Sequence, residues 1–151
     1  MHLLCHRSKR EPEKCALLHA FSNSPVVGIN HARITIMAET LQAAHAISRD
    51  ELKRKIDARA SFVLIETLAP EQYREAHLPG AVNAPPERVK ELAPVLVPNK
   101  RTEVVTYCAS VHCHASGNAS RELIALGYTN VYHYAGGKQD WRAAGLPVER
   151  G

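Results

Sequence analysis

An α/β fold, with a mainly parallel central sheet flanked by helices on both faces, is what this 151-residue sequence predicts. Three observations carry the prediction. Short β-branched runs alternate with helical segments from about residue 46 to residue 150, the pattern of strand–helix–strand units. Phe62 to Ile65 is a continuous apolar run, which suits a strand buried on both faces. The helical segments carry their own stop signals, such as Gly127 and Gly145.

The elements follow in order. Ser48 and Glu51 have the spacing of a capping box, so DELKRKIDAR should be a helix with Leu52 and Ile56 on one face. SFVLIE is the first predicted strand. PEQYREA, residues 70–76, reads as a short helix with Pro70 in its first turn. HLPGAVNAP is a turn followed by a very short strand at 81–83. PERVKELAPVL is a helix ending near Pro98. TEVVTYC is a strong strand, closed by Tyr107 and Cys108. ASGNASRELIALGY is a helix that stops at Gly127, NVYHY a strand, and GGKQDWRAAG the last helix.

Residues 1–36 differ from the rest. They mix charge (HRSKREPEK) with turn formers (SNSP) and hold no sustained period, so a poorly ordered N-terminal extension is expected. Five Lys and Arg against Glu11 and Glu13 put most of the net charge of +4 here. No apolar stretch of signal-peptide kind follows the basic residues, and the two glutamates speak against a transit peptide. A sharper expectation is that translation begins at Met37, from which MAETLQAAHAISRDEL leads straight into the domain at 46–150. Intact mass of the protein from its native source would decide it.

Composition excludes several classes. There is no apolar run of membrane-spanning length and no basic stripe with interleaved aromatics, so neither a membrane nor nucleic acid is an expected partner. Four cysteines are too few for a disulfide scaffold and point to a reducing, cytoplasmic setting. Nothing in the sequence sets the oligomeric state.

The chemistry gathers in YCASVHCHASGN, residues 107–118. Cys108 falls at the C-terminal end of the strongest strand, where open α/β sheets bind ligands. Between it and the next helix the chain must turn, and such a turn can aim successive backbone N–H groups inward as an anion-binding nest. The small residues Ala109, Ser110, Ala115 and Ser116 let the backbone close in, and the helix N-terminus adds positive potential. This favours a thiolate at Cys108, an added anionic sulfur, or an oxyanion.

Several motifs together resemble a single-domain rhodanese, the family that carries sulfur as a cysteine persulfide. They are AHLPGAVNAP, the Tyr107–Cys108 strand end, and LGYTNVYHYAGGKQDWRAAGLPVE with Gly136, Gly137, Trp141, Gly145, Leu146 and Pro147. The resemblance implies a rhodanese-like fold and a sulfurtransferase. Cys108 would be the catalytic nucleophile and Ala109, Ser110, Val111, His112, Cys113, His114 and Ala115 the substrate-binding loop. Thiosulfate or a persulfide would be the donor. Cyanide or a thiol, on a small molecule or a protein, would be the acceptor. No metal or organic cofactor is implied. There are departures. The loop is about two residues longer than in common members, and Ile65-Glu66-Thr67-Leu68 stands where the family usually has IDVR. The loop holds no Arg or Lys, so within it only His112 and His114 could supply a cation.

Other readings stand beside this one. Cys113 is open between a second sulfur acceptor, a resolving thiol for Cys108 and a small loop residue. A redox-sensing or binding module built on that pair is the main alternative to an enzyme. A phosphatase or arsenate reductase would need an Arg at the place of His114 to clamp its oxyanion. A Cys-His-Cys-His zinc or copper site lacks the second ligand pair that structural sites use. His77 and Trp141 read as structural, and Cys5 and Cys15 as incidental residues of the extension.

Overall fold

The computed structural model describes residues 43–151. The expectations for residues 1–36, for Met37 and for Cys5 and Cys15 lie outside the described residues. The elements run β1 (His45–Ala46), α1 (Arg49–Asp57), β2 (Val63–Glu66), α2 (Pro70–Glu75), β3 (Val82–Asn83), a 3-10 turn (Pro86–Arg88), α3 (Val89–Leu96), β4 (Val104–Tyr107), α4 (Ala115–Ala125), β5 (Val131–Tyr134) and α5 (Gly137–Ala143). Five strands form one sheet in the order β1-β5-β4-β2-β3, with every pairing parallel.

The local signals act as their chemistry suggests. Ser48 Oγ accepts from the Glu51 amide at 3.2 Å and starts α1. Gly127, at φ +90°, lets the chain leave α4 and return to β5. Pro94 lies inside α3, so the amide it lacks removes one intrahelical bond. One element was not foreseen. The two-residue β1 has no period to read, and exists because it pairs with Tyr132 and His133 of β5.

The strand period of two divides the interior into two cores. Ile65, Val104 and Val131 pack with Val89 and Ala93 of α3 and Ala119 and Leu123 of α4. Leu64, Val105, Tyr107 and Tyr134 face the opposite side, with Leu52 of α1, Leu78 and Trp141 of α5. Trp141 is fully buried, donates Nε1–H to Pro147 O at 2.8 Å and meets Tyr134 edge-on, as packing and not as a ligand box. His77 is structural too: Nδ1 lies 2.9 Å from Tyr73 O, and the ring stacks on Tyr73.

The same alternation positions the site. β4 and β5 pair with Thr106 opposite His133, and each shares a strand face with a residue of the α3/α4 core, Val104 and Val131 respectively. Cys108 continues that parity beyond Thr106, so its side chain leaves β4 toward α4.

Candidate functional site

Cys108 is the first residue beyond β4 and only 1% exposed. Its backbone is clamped from α5. The amide of Lys138 donates to Cys108 O and that of Gln139 to Ala109 O, each at 2.9 Å. Gly137 makes this approach possible: at φ +62°, a Cβ there would lie 2.4 Å from Cys108 O. The loop then turns through a Cys113 N–H···O Ser110 bond of 3.0 Å, with Val111 exposed at its tip. His112 and His114 are exposed, while Ala109, Ser110, Cys113 and Ala115 are half-buried.

The surroundings of the Cys108 thiol differ from the expected ring of N–H groups. Cys113 O lies 3.2 Å and Ser110 O 3.8 Å from Sγ, so two carbonyls face it as acceptors for S–H. Against them, Ser116 Oγ–H donates to Sγ at 3.1 Å. The loop was expected to favour a thiolate, an added anionic sulfur or an oxyanion, and for the thiol itself the balance of its neighbours runs against the charged form. Burial, followed by the neighbouring Cys113, pushes the Cys108 thiol up, and the Ser116 hydroxyl and amide oppose without prevailing. Cys113 goes the other way. Burial works to raise it, but the Cys108 thiol and the amides of Ala115 and Ala109 outweigh burial and hold it below the usual thiol value. The N–H groups of Ala109 and Ala115 therefore favour an anion at Cys113, while that of Ser116 favours one at Cys108 against the larger effect of burial.

Behind the thiol is a hydroxyl cluster that sequence reasoning did not single out. Ser116 Oγ, 3.1 Å from Cys108 Sγ, is also 2.9 Å from His133 Nε2. Ser116 O accepts from Thr106 Oγ1 at 3.2 Å and from Ser120 Oγ at 2.9 Å, and those two hydroxyls are 2.6 Å apart. Burial alone depresses the His133 pKa below its ordinary value.

On the other sheet face a second polar group is sealed in. Glu66 is fully buried; it accepts from Tyr107 Oη–H at 2.6 Å and pairs with Lys138 Nζ at 2.8 Å. The arginine that the IDVR pattern would put at position 68 is the buried Leu68, and the cation for Glu66 comes instead from α5. Lys138 also donates to Gln72 O and Ala76 O, which ties α2 to the loop's clamp. A cavity of about 370 Å³ opens beside Ala109, lined among others by Leu68, Gln72, Glu75, Lys138 and Arg142. Its cations come from a helix about thirty residues further on, which the loop sequence alone did not disclose. Among the described residues, no three His, Cys, Asp or Glu side chains are grouped to hold a metal ion, and no helix is long and apolar enough to cross a membrane.

A parallel sheet with helices on both faces and a thiol just beyond its central strand defines an α/β domain with a cysteine-bearing loop at the strand's C-terminal end. Comparison with known proteins is specific. The family model of the rhodanese-like domain matches residues 48–144, and the chain belongs to that family. It is 41% identical to the thiosulfate sulfurtransferase PspE of Escherichia coli over 76 residues, covering 50% of this chain and 70% of that one. It is 32% identical over 106 residues to an HTH-type transcriptional regulator of Mycobacterium tuberculosis; that match takes in 70% of this chain but spans only 45% of the regulator's length. A solved structure, a rhodanese with anions from E. coli, shares 36% identity and a TM-score of 0.52 over 60% of this chain and 100% of its own.

Proposed function

We propose that the protein is a rhodanese-type sulfurtransferase that carries sulfane sulfur as a persulfide on Cys108. The observation that carries this reading is the position of the thiol: it ends the central strand and is touched by Ser116, and the next residue, Ala109, lines a cavity. The activity named for the E. coli relative supports it and suggests thiosulfate as one donor. In the first half-reaction the Cys108 thiolate attacks the outer sulfur of thiosulfate. The S–S bond breaks and its electron pair leaves with sulfite. In the second, the thiolate of an acceptor attacks the outer sulfur of the persulfide, forms its own S–S bond and returns Cys108 as thiolate. The amides of Ala109 and Ala115, which favour an anion at Cys113, are the groups we assign to the added sulfur once Cys113 yields its place. With no Arg or Lys in the loop, a dianionic donor would depend on these amides and on Arg142 across the cavity, which favours a persulfide as the better donor.

Intact mass after treatment with thiosulfate or glutathione persulfide tests the reading. We expect a gain of about +32, absent in Cys108→Ser and kept in Cys113→Ser. No gain with either donor would defeat it. A second reading has its own observation: the two thiols shift each other's acidity, and Cys113 O touches Cys108 Sγ at 3.2 Å. For a redox pair the mass would instead fall by about two hydrogens on mild oxidation, and only with both cysteines present.

A further inference from the structure

A buried thiol whose acidity is suppressed needs somewhere to send its proton before it can attack. The only imidazole joined to Cys108 through hydrogen bonds among the described residues is His133, reached through the Ser116 hydroxyl in contacts of 3.1 and 2.9 Å. We propose that Ser116 and His133 form a proton relay that activates Cys108, with Ser116 the catalytic residue in contact with sulfur and His133 the positioning residue that takes the proton.

The step balances. The Cys108 S–H turns from Cys113 O to Ser116 Oγ, and the Ser116 O–H turns from Sγ to His133 Nε2. As its proton passes to that oxygen, the serine's own proton passes to His133 Nε2. The products are a thiolate, an intact serine hydroxyl and an imidazolium; attack on the donor follows. The step requires His133 to be neutral with its proton on Nδ1, so that Nε2 accepts. Burial, which lowers the imidazole's pKa and so favours its neutral form, serves this requirement.

The frame holds the relay in line. Thr106 and His133 are opposite each other in the β4–β5 register, and the Thr106 and Ser120 hydroxyls fix the Ser116 carbonyl at the first turn of α4. The titratable groups of the elements packed around His133 are few. The loop brings Cys108 and Cys113, with His112 and His114 exposed at its surface. Beyond Ser116, α4 carries Arg121, which is exposed, and Glu122. β1 offers His45, whose ring lies against Tyr132. None contributes to the shift at His133, which burial alone causes.

The inference rests on Cys108 as the nucleophile, and its test needs no sulfur donor, so the two fail separately. The experiment is peptide-resolved alkylation of Cys108 by iodoacetamide in the full chain, from about pH 5 to about pH 10. The wild-type rate should show a limb at low pH that follows the imidazole. His133→Gln and Ser116→Ala should each remove that limb and slow the reaction roughly ten- to hundredfold at neutral pH. The double variant should be no slower than Ser116→Ala, and Ser116→Thr should retain the limb. A His133→Gln protein that melts like wild type and keeps the wild-type profile would overturn the relay. Should both variants fold poorly, the imidazole titration of native His133 by NMR decides it: alkylating Cys108 must move that titration, and an unmoved curve overturns the proposal.

Discussion

Cys108 and Cys113 differ in acidity because the turn between them deals out its backbone groups unequally. Cys108 faces two carbonyls, and Cys113 feels the amides of Ala109 and Ala115. Removing Cys113 takes away one of the two influences that raise Cys108, leaving burial as the other. A lower pKa means more thiolate at a given pH, so Cys113→Ser should quicken Cys108 alkylation at neutral pH. The expected gain is about two- to tenfold, and rates measured across pH check it. Cys108 was legible from its place at the end of TEVVTYC, because a strand that ends in a cysteine before a helix admits few geometries. His133 was not. VYHY reads only as a strand, and the face its histidine takes depends on a register with Thr106 that the strand's own residues do not encode.

At the level of elements, the loop owes its shape to its neighbours. α5 reaches it only because Gly137 adopts a left-handed conformation against the Cys108 carbonyl. Gly137→Ala should therefore cost about 2 kcal/mol or more in denaturant unfolding, from the left-handed conformation and the clash together. It should also alter Cys108 alkylation, since the backbone that must move carries the thiol. The helices and long strands were legible because caps and periods are local: Ser48 starts α1 and Gly127 follows α4 as their types suggest. β1 was not legible, because two residues carry no period and only pairing with β5 makes them a strand.

Across the whole molecule, the charged group sealed beneath the site links three elements. Glu66 of β2, Tyr107 of β4 and Lys138 of α5 satisfy one another where water is excluded, and Tyr107 is pushed far above its usual pKa by burial and by Glu66. Removing one partner leaves a buried charge alone. Lys138→Met should destabilise the protein by about 3–5 kcal/mol, read from urea unfolding. Much of this was invisible in sequence. Glu66 was visible as the acid that stands in place of the aspartate of IDVR, but its cation comes from a helix 72 residues away in the chain. The α/β class was legible because alternation of element types is a property of the chain as written. Apart from the contacts of the two thiols, the stretch from Ser110 to Ala115 is gripped at its borders. On one side two amides of α5 hold the carbonyls of Cys108 and Ala109, and on the other two hydroxyls hold that of Ser116. None of those holds uses a side chain from within the stretch. The segment is thus an interchangeable cassette in a fixed socket, free to change length and chemistry, and so the choice of donor, while the frame around it stays as built.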